Sequence, residues 1–454
     1  MRKDKISLVI SGLTFSLIFL ISGLYYPSWS QKHSKNVFLN FKSLKNSSNS
    51  STWSRIWEVD STIGEEIATD LSNNVYIVGR FYRHPEDPIF NIKFDEYGHE
   101  QWNATWKLNN NTSIAGLVVD SQQNIYNLVN LYALEDKSII MKINNIGKSV
   151  WNKTIAGNTD CIYLDKHDNI YISGRIWDWR KDELHIYLKK FNKNGISQWN
   201  HTFLMDDIIN LFGFPCTIMV DHLNQTYMAG ILSTSGFEDG DYHSFGSYYP
   251  APLIFTCIYN SSGNLVSYNM WRILDYYIST SMIFDTSCNL YLIGADRSVS
   301  RNIILKYDSS WHSQLSTPDW QKKEIGDSSE FWEHITLDIY NNIYCGGTNY
   351  YFTGKSNYEL YLVKFNSLGN LEFDGAWNNL SDARCMDIYV DSNLSIYLTG
   401  SSDKRALILK NPVFGEFSNP SYININIIIT LTTIFCICGI IGIYFFIRFR
   451  RRSD

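Results

Sequence analysis

None of the eight cysteines sits in a C-x-x-C pair, and the ten histidines are scattered without ligand spacing, so a zinc site has no support. There is no G-x-S-x-G, no H-E-x-x-H and no phosphate loop, which removes the commonest hydrolase, metalloprotease and nucleotide-binding signatures. No loop has the D-x-[DN]-x-[DN]-G spacing of a calcium site, and no cofactor is expected. Basic stripes are also missing. Setting aside the charged flanks, 1–30 and 448–454, leaves 32 basic against 43 acidic residues, a net of about −11. That balance disfavours nucleic acid or anionic lipid as a partner.

What the chain does have is aromatics, 30 Tyr, 25 Phe and 14 Trp, a composition that favours strands. It also has two long apolar runs. The first, Ile6 to Tyr26, follows Arg2, Lys3 and Lys5 and has the features of a signal peptide or an uncleaved signal anchor within 1–30. The second, Ile427 to Ile447 within 423–447, is long enough to span a bilayer as a helix and is followed by a basic tail, 448–454, with Arg448, Arg450, Arg451 and Arg452. Basic clusters stay on the cytoplasmic side. Everything between the runs is therefore expected outside the cell membrane, with one or two passes anchoring it. Of the cysteines, Cys436 and Cys438 fall in the second run. The other six, Cys161, Cys216, Cys257, Cys288, Cys345 and Cys385, are either disulfide partners or buried small hydrophobes.

A phrase of the type seen at Asp165–Gly174, "DKHDNIYISG", recurs about every fifty residues. Its Asp stands at 70, 120, 165, 221, 285, 338 and 391, and six residues later every copy has Tyr. Asn follows the Asp by four in most copies, and Gly by nine in all but one. Asp and Asn bond nearby backbone and tolerate left-handed geometry, so D-x-x-x-N reads as a hairpin turn. A second hairpin follows, with Lys, then Gly five on, then Trp four on, as in Lys93, Gly98 and Trp102. Each unit thus supplies four strands, A to D, the pattern of a β-propeller blade.

The seventh unit runs out at Pro412 before any Trp-bearing D strand, whereas "WSRIW" at Trp53–Trp57 stands alone before the first A strand. The expectation is an all-β, seven-bladed β-propeller of four-stranded antiparallel blades over 52–411, closed by an N-terminal strand. A linker, 31–51, precedes it, and a second, 412–422, leads to the transmembrane helix. The units resemble the SBBP repeats, a seven-bladed propeller family of prokaryotic secreted and surface proteins, through D-x-x-x-N-x-Y-x-x-G and K-[YF]-x-x-x-G. The resemblance implies an architecture and carries no catalytic residues.

In such a blade the short A–B and C–D turns share one face, and the variable B–C and D–A loops share the other. Binding usually resides on variable loops of a rigid scaffold. Candidate ligand-binding residues there are Trp177, Trp179, Tyr242, Tyr248, Tyr249, Tyr350 and Tyr351, aromatics suited to stacking on sugars or gripping a protein. The expected role is a binding module for surface glycan or protein. The alternatives are a hydrolase or lyase acting on polysaccharide, which a convergent carboxylate pair in the central funnel would favour, and a structural surface-layer component. Asn103, Asn152 and Asn200 occupy matching places on D strands as possible glycosylation acceptors.

Overall fold

The computed structural model describes residues 52–82, 88–108, 111–132, 137–178, 180–181, 183–204, 212–233, 253–272, 277–296, 301–309, 318–324, 330–352, 356–377, 382–411 and 415–416. They form seven antiparallel sheets. The first blade runs through strands A to D as Thr62–Thr69, Val75–Phe81, Ile89–Phe94 and Glu100–Trp106. Consecutive A strands neighbour one another around the whole ring, and the seventh, Ala383–Val390, meets the first. The fold is therefore a closed seven-bladed propeller whose centre is lined by A strands.

Closure takes the expected form. Trp53–Ile56 pairs antiparallel with Arg405–Lys410, matching Trp53 with Lys410 and Ile56 with Leu407. Between blades the repeat builds a contact that its spacing did not reveal. Three C–D turn glycines sit at positive φ beneath the D-strand Trp of the preceding blade: Gly147 under Trp102, Gly195 under Trp151 and Gly263 under Trp199. Gly98 lies under Trp53 in the same way, so the first residues of the propeller serve as the seventh blade's outer strand. The Trp indole N–H groups add bonds across the seam, from Trp102 to the Asn145 carbonyl at 2.9 Å and from Trp53 to that of Glu96 at 3.1 Å.

The repeated Asp is a turn clamp. One Asp70 oxygen accepts the N–H groups of Ser72 and Asn74, and the other accepts the Asn74 amide and the Tyr76 hydroxyl. The left-handed residue is neither of those expected from D-x-x-x-N but the one between them, third after the Asp: Asn73, Gln123, Asp168, Asn224, Cys288, Asn341 and Leu394. Because both flanking N–H groups are held by one carboxylate, even Leu394 is kept at φ 63°. In six blades the C-strand Lys lies over the Tyr ring, with Lys142 also bonding Asp120 and the Tyr126 hydroxyl. The fourth blade, without that Lys, sets Ile258 opposite Tyr227.

Replacing Gly147 by Ala should cost about 1–3 kcal/mol, because the new Cβ would stand 2.9 Å from the Trp102 ring at φ +77°. Denaturant unfolding checks this. No loss of stability would show that the Trp–Gly seam contributes little.

The core lies between blades, where strands buried on both faces meet. Cys161, Cys257, Cys288, Cys345 and Cys385 are free thiols, three of them buried, so among the described residues the small-hydrophobe reading holds over the disulfide one. The segment expected to be only a connector contributes Gly415–Glu416, which adds a fifth strand to the outer edge of blade six. The signal segment, the first linker, the C-terminal apolar run and the basic tail lie outside the described residues. No helix among the described residues is long and apolar enough to cross a membrane.

Candidate functional site in the central channel

Every A strand carries a β-bulge at the same level, between Gly64 and Glu66 in blade one and between Cys385 and Asp387 in blade seven. A bulge re-aims side chains out of strict alternation. The residues four before the turn Asp, directly after the bulges, are Glu66, Gly116, Cys161, Thr217, Ser281, His334 and Asp387, all small or polar. Those three before it, Ile67, Leu117, Ile162, Ile218, Met282, Ile335 and Ile388, are all apolar. One set lines the channel while the other builds the core. The bulges pair with the far halves of the B strands, so this polar ring sits toward the variable-loop face.

Asp387 is the best-defined member. One of its oxygens accepts the Ile67 N–H of blade one at 3.0 Å, and the other accepts the Ile388 N–H at 2.7 Å. His334 of blade six comes within 4.0 Å of that second oxygen. Three blades therefore converge on one carboxylate. Burial pushes Asp387 up to about 7 against the lowering effect of those two N–H groups. Glu66 is raised well above the ordinary range, first by burial and then by the Asp387 and Glu65 charges. Two carboxylates so placed resist carrying two charges, and they retain a proton near neutrality. Burial lowers His334 to about 4, leaving a neutral imidazole beside them.

A second tier of acids is braced from the same blade by the residue ten after the turn Asp. Arg80 pairs with Glu65, Arg175 approaches Asp160 at 3.7 Å, and the Thr348 hydroxyl donates to Glu333 at 3.4 Å. Burial still raises Asp160 to about 6 and Glu333 to about 7. The Cys161 thiol is pushed up to about 12 by burial, with the Glu66 and Asp160 charges adding to it, so it is a protonated neighbour and not a nucleophile. That Glu66 of blade one acts on Cys161 of blade three places both on the channel.

The aromatic candidates fare unevenly. Trp177 is half-buried at the end of the third blade's B strand, paired with Leu184. Tyr350 and Tyr351 belong to the sixth blade's B–C hairpin, opposite Tyr358 and Asn357. Trp179, Tyr242, Tyr248 and Tyr249 lie outside the described residues. Asn103, Asn152 and Asn200 are exposed at equivalent D-strand positions, pairing with Ile92, Met141 and Lys189. The third blade's hairpin also brings Asp178, Glu183 and His185 together, with potential ligand atoms all within 4.8 Å, although the histidines show no ligand spacing in sequence. Lys181 pairs with Glu183 at 3.8 Å and His185 Nε2 lies 3.4 Å from the same oxygen, so the half-buried cluster is served by contacts within its own hairpin.

No family model matches the chain, and no curated protein does. Solved structures do share its fold. An ulvan lyase, a polysaccharide lyase bound to a glucuronate–sulphated rhamnose unit, is similar with TM-score 0.50 at 9% identity, covering 80% of this chain and 96% of its own. Hydrazine synthase of Kuenenia stuttgartiensis has TM-score 0.50 at 7% identity, covering 78% and 96%. A virginiamycin B lyase from Staphylococcus aureus has TM-score 0.46 at 10% identity, covering 79% and 98%. At such identities the likeness concerns fold alone. With the sheet topology it places this chain among the seven-bladed β-propeller proteins.

Proposed function

We propose that the chain is an SBBP-type propeller, tethered to the cell membrane with its ring on the outer side, that binds a neutral or amino glycan at its variable-loop face and in the acidic channel beneath. The observation that carries this reading is the polar ring. Glu66, Asp387 and His334 occupy positions where packing needs no ionisable group, and holding such groups half out of water is costly. Sugar hydroxyls and ammonium groups are donors suited to carboxylates, and the half-buried Trp177 lies on the same side as the channel mouth.

The paired carboxylates favour hydrolysis as a second reading, since a proton-holding acid beside a second carboxyl can supply both acid and base. An array of neutral, amino and acidic glycans tests the proposal. The full chain in detergent should retain neutral or amino sugars, with roughly tenfold weaker retention after Glu66→Gln or Asp387→Asn. Retention of acidic sugars alone, or indifference to both substitutions, contradicts the proposal. Shortening of a retained glycan would establish the hydrolytic reading.

A further inference from the structure

Both ends of the propeller leave from one face. Trp53 and Lys410 are register partners at the start and finish of the closing strands, and both bond the Glu96 carbonyl in the first blade's C–D turn. Asn411 N–H bonds Ile396, directly after the seventh A–B turn. The chain therefore enters and exits on the side of the short turns, opposite the channel mouth. Gly415–Glu416 runs antiparallel to the sixth D strand, a direction that again leads toward the turn face. The two long apolar segments of the chain continue from these ends.

That face is unusual in what it exposes. The turn tips present Leu71, Tyr97, Ile146, Leu223, Tyr340 and Leu368, with Leu71 92%, Leu368 72% and Tyr340 64% exposed. In the seven A–B turns, between the clamp Asp and the next strand, the only full charges are Lys166 and Asp168, and Asp168 accepts two bonds from Ser121; the C–D turns of the same face add Asp95, Glu96, Lys148, Lys193 and Asp308, of mixed sign. The clamp carboxylates are consumed inside the turns. The acids of the channel lie toward the other side. Turn geometry asks only for the Asp and the residue that follows by four, so it does not require Leu or Tyr at the tips.

We infer that the turn face rests on the lipid bilayer that holds the chain's own apolar segments, with its tip Leu, Ile and Tyr side chains entering the headgroup layer and the variable loops directed away. Exposed Leu and Ile tips with interfacial Tyr, among charges of both signs that can stay at headgroup level, suit the bilayer boundary, and a face anchored at both chain ends is held close to it. This rests on the tethered reading above, and it adds an orientation to that reading.

The test uses the full chain reconstituted in phosphatidylcholine vesicles, with a fluorophore on an encoded azide at Ser72 or at Arg180 and spin-labelled headgroups as quencher. Quenching at Ser72 should exceed that at Arg180 severalfold. It should fall toward the Arg180 level in a Leu71→Glu, Leu368→Glu variant, whose exposed positions leave the melting temperature unchanged. A membrane-inserted chain with equal quenching at both sites overturns the orientation and leaves the tether standing. Washing of the chain from vesicles by alkaline carbonate overturns both. Copy-to-copy crosslinks through Ser72 without quenching would assign this face to a second copy and refute the bilayer contact.

Discussion

Deleting Thr52–Val59 is expected to lower the stability of the ring by about 5 kcal/mol or more, and its melting temperature by about 6 °C or more. The strand carries Trp53, 7% exposed, into the cluster with Phe94 and Ile408 and lays its indole on Gly98. Its loss would uncover the outer edge of the seventh blade and open the seam with the first. The backbone bond from Trp57 to Ala406 would be lost as well. Deleting Gln31–Ser51 leaves the closing strand in place and should change the melting temperature by about 1 °C or less. Calorimetry on the two deletions makes the comparison, and equal effects would contradict closure by this strand.

Stability should also fall as pH rises from about 4 to about 7, the reverse of the usual behaviour of a protein stabilised by carboxylate ion pairs. Asp387, Glu333 and Asp160 have folded-state values near 7, 7 and 6, above their ordinary ones, and Glu66 is raised as well. A raised carboxyl holds a proton in the folded state that the unfolded chain releases. Its stabilising contribution is therefore complete below the unfolded value and is lost as pH climbs through the folded one. His334, lowered to about 4, and His201, also lowered by burial, oppose this trend, but Glu359 and Asp319 are raised too and the raised carboxyls outnumber the two histidines. The lowered Asp120 and Asp95 act below about pH 4, outside the window. Asp387→Asn loses an acceptor for one of the two N–H groups at any pH, but relative to wild type it should fare better at pH 7.5 than at pH 4.5 by roughly 1–3 kcal/mol. Urea midpoints across pH check this, and a wild type that gains stability over the same range would show that the channel acids are not held protonated.

The ring itself was legible in the sequence because its recurring residues are fixed by backbone geometry. A carboxylate holding two turn N–H groups, a Tyr reaching that carboxylate and a Gly pressed against the neighbouring strand leave few substitutes, so they repeat. Gly79 shows this, since a Cβ there would strike the Ile63 carbonyl. The missing D strand could be found at the other end because Trp53 keeps the role of Trp102. The channel residues were not legible in the same way. They stand on A strands at bulges that break the two-residue alternation, and no packing partner forces Glu66, Cys161 and His334 to resemble one another. A trace was present: counting back four from each clamp Asp gives a polar or small residue in every copy, next to an apolar one. The Trp–Gly seam was hidden for another reason, since its partners are 44 to 64 residues apart and belong to different blades.

The central claim is that a half-buried carboxylate pair holds a proton in the channel. It is tested most directly by following the side-chain carboxyl carbons of Glu66 and Asp387 by NMR from pH 3 to 9, with Asp387→Asn for assignment. The expected result is two coupled steps, with a proton retained at pH 6 and Glu66 moving toward its ordinary range once Asp387 is replaced. Independent titration of both groups near pH 4 would contradict it.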